Sequence, residues 1–494
     1  MKKNRIIHIS IIIIGVIFIL IPTFHTNLWF DESYSVAISN KSYSKIWEIG
    51  GNDVHPVLYY WILHTIKLVF GSNILLYRLF SVFCMALLGT IGFTHVRKDF
   101  GEKVGMLFSF LVFFLPVNVV YAGEIRMYSL AMLLVTIMSI YAYRIYKDNE
   151  KKYKKNWILF AIFSLASAYT HYYGLMIAGL ENLALFIAFS KQAKKEKKFI
   201  YNLKVFLIFA IVQILLYIPW VISLLKQVKQ VSNGFWIGIH FPGTFIELFT
   251  FPFTGNLEGS GYLAVPIAFL FGMIIYIYTI YILIKNKKDD TLKPAKYAIR
   301  FWLMIMLSAS IVSVIILRPI IYARYMLCVG GLFIFYIAYI IAEKGSRDFK
   351  LIICTISAVL SMVVLCTLVQ ENYGKQNQEF QNYIRQNVED GDIFICQNEL
   401  SGFVVSAYFP ANKLYFYDAD RWNVEAAYKA YGDTVYDLEF LKDYKGRIWS
   451  INTNHYLLYE KLWSMYDLKL IDQKSFNVEY KKNPYTLTLV EKDE

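Results

Sequence analysis

The chain has 494 residues, 57% of them hydrophobic and 18% charged, too apolar a balance for an ordinary soluble domain. Its formal charge of +13 could suit nucleic acid, but residues 370–494 hold 14 Lys and Arg against 20 Asp and Glu, so the basic excess lies on the apolar part. There it serves as a topology determinant and lipid-headgroup contact, and nucleic acid is not an expected partner.

The first apolar run, near 6–25, follows Met-Lys-Lys-Asn-Arg and reads as an uncleaved first helix. Further runs near 74–96, 104–121, 128–146, 157–171, 174–190, 205–224, 262–284, 301–317, 325–342 and 351–369 bring the predicted spans to eleven. The stretch His55–Phe70 would be only about 24 Å long as a helix and carries His55, His64 and Lys67, so an interfacial helix is expected. With the N-terminus inside, the cytoplasmic segments hold 26 Lys and Arg and the outer ones eight. Making His55–Phe70 a twelfth span would put five of the six basic clusters outside, against the positive-inside rule. The expectation is a multi-pass cell-membrane protein, mainly α, with a cytoplasmic N-terminus and an extracytoplasmic C-terminal region.

Two domains are expected: a transmembrane domain over 1–370 and a small extracytoplasmic α/β domain over 371–494. In the latter, Asp392–Gln397, Lys413–Ala419, Arg447–Asn452 and Tyr485–Glu491 read as strands, and Glu379–Asn387, Val424–Tyr431 and Tyr456–Tyr466 as helices. No Gly-rich phosphate loop occurs there. Cys84, Cys328, Cys354 and Cys366 lie in apolar runs and only Cys396 in a polar region, which supports neither a disulfide framework nor a thiolate metal site.

Chemistry-bearing residues gather on the predicted outer edge. Trp29-Phe30-Asp31-Glu32-Ser33-Tyr34 sets two carboxylates just beyond the first span; they are either solvated acids that end the helix or a used pair, because a carboxylate at an apolar boundary is costly otherwise. His55-Pro56-Val57-Leu58-Tyr59-Tyr60 reads as the start of an interfacial helix. Glu124-Ile125-Arg126-Met127-Tyr128 offers an acid and a guanidinium that either pair structurally or face a common site. Thr170-His171-Tyr172-Tyr173 and Arg318-Pro319 through Arg324-Tyr325 add two more polar, aromatic turns. Arginines there suit a phosphate, with a plain headgroup contact as the alternative.

Carboxylates, histidines and arginines on one edge suit glycosyl transfer from a sugar carried on a lipid phosphate. That reaction needs a base for the acceptor hydroxyl and fixed cations for the leaving phosphate. Neither a sugar nucleotide nor a divalent metal is required, although Asp31 and Glu32 could hold a weakly bound metal. The expected partners are a polyprenyl-phosphate-linked sugar, membrane lipids and a glycan, lipid or protein acceptor.

With Asp31-Glu32-Ser33-Tyr34, His55-Pro56-Val57-Leu58-Tyr59-Tyr60, Glu124-Ile125-Arg126-Met127-Tyr128, His171-Tyr172-Tyr173-Gly174 and Arg324-Tyr325, the chain resembles the GT-C-fold glycosyltransferases of the protein mannosyltransferase and aminoarabinose transferase superfamily. The resemblance covers about residues 1–370. It implies Asp31 as the base with Glu32 in support, a polyprenyl-phosphate sugar donor, inversion at the anomeric carbon, and phosphate contacts from Arg126 and Arg324. Val57 stands where the family often has a second proline. The full set of expected substrate-binding residues is His55, Tyr59, Tyr60, Glu124, Arg126, Tyr128, His171, Tyr172, Arg318, Arg324 and Tyr325. Two other classes fit a polytopic chain. A lipid or glycan transporter should carry polar residues or broken helices at the bilayer midplane, whereas a non-catalytic envelope scaffold should tolerate loss of Asp31.

Overall fold

The computed structural model describes residues 2–147, 154–196, 200–234, 236–255, 264–396, 399–416, 429–431, 438–453, 460, 462 and 465–492. Among them, nine helices are long and apolar enough to cross a membrane. The two other expected spans are shorter helices. Glu102–Phe114 stops because Leu115, preceding Pro116, is extended at φ −94° and ψ 127°, the conformation that a following proline imposes. Lys154–Ala168 has 15 residues. The interfacial candidate forms a helix over Leu58–Phe70, whose 13 residues span about 20 Å, short of a bilayer.

The chain divides into two compact units. The first comprises Met1–Ile21, Val54–Tyr59 and Arg78–Cys366. At its centre lie Tyr128–Lys147 and Ala323–Lys344, whose apolar stretches are 83% buried, against 22% for Ile200–Asn233; the exposed leucines and isoleucines of that long helix suit a lipid-facing position. Small residues bring helices together here, as is usual in membranes. The Phe113 ring occupies the space that a Cβ at Gly15 or Gly89 would need, so Lys2–Leu20, Ile74–Ile91 and Glu102–Phe114 can approach closely.

The second unit comprises Pro22–Asp53, Tyr60–Tyr77 and Thr367–Glu494. Its five strands are β1 (Ile393–Cys396), β2 (Lys413–Phe416), β3 (Arg447–Asn452), β4 (Leu468–Val478) and β5 (Asn483–Lys492), in the order β2-β1-β3-β5-β4. β1 is parallel to β2 and β3, while β5 is antiparallel to β3 and β4. The four expected strands form, and β4 adds a fifth. Its register slips between Leu470 and Asp472 and most of its residues are exposed, which hides the alternating pattern that would betray a strand. The parallel β1–β2 pair needs a crossover, supplied by an unexpected helix, Glu399–Tyr408. The expected Glu379–Asn387 helix forms as Lys375–Asn387. Most of Val424–Tyr431 and Tyr456–Tyr466 lies outside the described residues. One side of the sheet closes over Ile393, Ile395, Leu438, Leu441, Ile448, Leu462, Leu468 and Val490. The architecture is therefore mainly helical and polytopic, with a small C-terminal α/β sheet.

Candidate active site

In the second unit, Asp31 and Glu32 stand in the first turn of a helix, Phe30–Ser39, where the positive end of the helix dipole favours carboxylates. Sequence alone put them in a loop. The Ser33 N–H donates to the Trp29 carbonyl at 2.8 Å, closing that first turn. Asp31 is half-buried, whereas Glu32 has no exposed surface and accepts from the Tyr480 hydroxyl at 2.8 Å. Tyr60 is also fully buried and meets the Tyr34 ring edge-on at 5.7 Å. Burial, reinforced by the Asp53 carboxylate, pushes the Tyr34 hydroxyl well above the usual tyrosine range.

The first unit holds the remaining expected residues. Pro56 lies just ahead of the Leu58–Phe70 helix, and the Leu58 N–H donates to the Tyr169 carbonyl at 2.9 Å, tying the 54–59 segment to the turn before His171. On the Gly123–Met127 turn, Arg126 is only 5% exposed, and its Nη2 donates to His55 Nε2 at 3.2 Å. A guanidinium can only donate, so this bond requires neutral His55 with its proton on Nδ1. Glu124 is buried on the same turn, where its carbonyl accepts from the Arg126 N–H at 2.8 Å. Tyr59 is buried with its hydroxyl 3.5 Å from Ser81 Oγ.

His171 caps the Tyr172–Lys195 helix, its Nδ1 accepting from the Tyr173 N–H at 3.0 Å. That bond leaves the proton on Nε2. Burial pushes His171 down to about 3, helped by the positive charges of Arg126 and Arg324, so the ring is a neutral donor at physiological pH. Tyr325 lies edge-on at 5.1 Å and Tyr128 is tilted at 5.9 Å. Arg324 lies 5.0 Å from the Tyr322 ring centre and 5.8 Å from that of Trp236, within cation–π reach. His55, Arg126, Tyr128, His171, Arg324 and Tyr325 thus form one connected set through these contacts and charges.

Two expected residues are engaged elsewhere. Arg318 is exposed and donates to the carbonyls of Ser232 and Asn233 at 3.3 and 3.4 Å, capping the end of Ile200–Asn233. Tyr172 donates to Gln227 and accepts from Trp220 Nε1 at 3.2 Å, which fastens it to that same helix. One residue was missed: Arg78, 1% exposed, donates from Nη1 to the Gly123 carbonyl at 3.0 Å, next to Glu124. A single arginine inside an otherwise apolar run was the signal that could have found it. Among the described residues, no three His, Cys, Asp or Glu side chains converge as metal ligands.

Residues 54–222 match the model of the dolichyl-phosphate-mannose-protein mannosyltransferase family. That segment holds His55, Arg78, Glu124, Arg126 and His171. No curated protein matches the chain. Among solved structures, ArnT from Cupriavidus metallidurans in its apo state aligns with a TM-score of 0.63 at 11% identity, covering 97% of each chain. The same protein bound to undecaprenyl phosphate aligns with a TM-score of 0.61 at 12% identity, covering 98% of this chain and 97% of that one. The resemblance expected from the motifs is therefore supported: the chain has the GT-C membrane fold, and its residues 54–222 match the model of the protein mannosyltransferase family.

Proposed function

We propose that the protein transfers a sugar from a polyprenyl phosphate to an acceptor hydroxyl at the outer face of the membrane, with inversion. The observation that carries this reading is the group formed by buried Arg126 and His171 with half-buried His55 and Arg324, inside or beside the segment matched by a family named for a dolichyl-phosphate sugar. The fold relative crystallised with undecaprenyl phosphate supports the same lipid class. Asp31 takes the acceptor proton as that oxygen attacks the anomeric carbon, and Glu32 supports it. The bond from the anomeric carbon to the phosphate oxygen breaks, and the lipid phosphate leaves with the electron pair. Arg126 and Arg324 stabilise the growing charge, since fixed donors in a desolvated site need no reorganisation. The neutral His171 adds a hydrogen-bond donor without a further charge. In this scheme guanidinium groups serve where other transferases use a divalent metal.

The same reading puts the N-terminus in the cytoplasm and residues 370–494 outside, as the lysine and arginine bias dictates. The test is transfer from a panel of labelled polyprenyl-phosphate sugars to envelope extracts, with the wild type and Asp31→Asn in the same liposomes. Transfer that is lost in a folded Asp31→Asn variant is the expected result. Equal transfer by both proteins would remove Asp31 from the mechanism.

A further inference from the structure

Tyr480 lies in the turn Tyr480–Lys482 between β4 and β5, and its hydroxyl reaches Glu32 across 448 positions of sequence. The turn is braced from behind. The Glu479 carboxylate accepts from the Gln376 and Asn377 N–H groups at 3.1 and 2.9 Å, donors that the start of the Lys375–Asn387 helix leaves open. A Cβ at Gly374 would overlap that carboxylate, so a side chain there would push it from its present place. The Tyr480 N–H donates to Asn377 Oδ1 at 3.0 Å, and the His25 ring lies 5.0 Å from the Tyr480 ring. The backbone N–H and the ring of Tyr480 thus each have a partner besides the bond from its hydroxyl to Glu32.

Other C-terminal residues grip the same short stretch. Tyr408 accepts from the Leu28 N–H at 2.8 Å and donates to the Thr26 carbonyl at 3.0 Å. Phe403 stacks on Phe30 at 5.4 Å and on Tyr431 at 4.1 Å, and the Tyr431 hydroxyl lies 2.8 Å from Ser33 Oγ. Residues on both sides of Asp31 are thus held by the C-terminal region. A fully buried carboxylate needs a donor, and Tyr480 supplies one to the residue next to the proposed base.

We propose that Tyr480 is a positioning residue of the transferase. Its hydroxyl fixes the Glu32 carboxylate and with it the first helical turn that carries Asp31, which makes the C-terminal region part of the catalytic apparatus. The inference rests on the reading of Asp31 as the base. It is tested with full-length wild type, Tyr480→Phe, Glu32→Gln, their double variant and Asp31→Asn, assayed in liposomes on the same sugar panel. Intact folding is checked by chromatographic profile and unfolding midpoint. Tyr480→Phe removes one oxygen and keeps the ring. It is expected to lower kcat about tenfold, the scale of a hydrogen bond to a charged group, with KM changed by less than about twofold. Because Tyr480 acts through Glu32, the double variant should be no slower than Glu32→Gln alone. Wild-type kcat in Tyr480→Phe, or losses that multiply in the double variant, would overturn the positioning role and leave the transferase reading intact. Absence of transfer by the wild type, or full activity in Asp31→Asn, would instead sink the transferase reading, and the role of Tyr480 with it.

Discussion

Glu32 in the second unit and Arg126 in the first are both buried ionisable candidate site residues, but they depend on different parts of the chain. Glu32 owes its hydrogen-bonded partner to a hairpin turn 448 residues away. Arg126 is held by His55, 71 residues earlier, and the nearby His171 is fixed by the N–H of Tyr173, two residues on. The cationic group is thus assembled from the ends of membrane helices, whose geometry follows from the hydrophobic runs themselves. The carboxylate pair needs a separately folded sheet. Damage to the C-terminal region should therefore reach Asp31 and Glu32 first, and damage to helix boundaries should reach the arginines.

The largest effect should come from Asp31→Asn, which removes the proposed base while keeping its shape. Sugar transfer should fall by at least about 100-fold, with an unchanged unfolding midpoint as the control. Arg126 separates charge from geometry. Arg126→Lys retains the positive charge but loses the planar fork that meets His55 and, in the proposed scheme, the phosphate, so kcat/KM should fall about tenfold, and Arg126→Ala should fall about 100-fold. Steady-state rates across donor concentrations measure both.

His171 gives a smaller effect, visible in stability rather than rate. In the fold it gains a proton only near pH 3, whereas the unfolded chain does so near its ordinary 6.5. As pH falls through that window the unfolded state binds the extra proton, so stability drops. His171→Asn keeps a helix-capping side chain but cannot titrate. Its unfolding midpoint should fall less steeply between about pH 6.5 and 3 and run parallel to wild type above that range. The smallest effect is expected at Arg318. Its guanidinium caps helix carbonyls at an exposed position, so Arg318→Ala should cost about 0.5 kcal/mol of stability and change transfer less than about twofold.

The sequence by itself determined the membrane class and the small C-terminal α/β region, and it singled out most of the candidate site residues. Hydrophobic run length reports spans directly, and polar groups at span ends are conspicuous against an apolar background. His55, Glu124, Arg126 and His171 were legible for that reason. Arg78 was not, because its position inside a span made it look like part of the run. Only the tertiary structure decided that Asp31 and Glu32 open a helix, that Arg318 and Tyr172 serve the long Ile200–Asn233 helix, and that Tyr480 meets Glu32. Each depends on contacts between distant segments, which no local periodicity encodes. β4 was missed for a related cause: a bulged strand with few buried residues takes its place from pairing with β5 rather than from a pattern of its own.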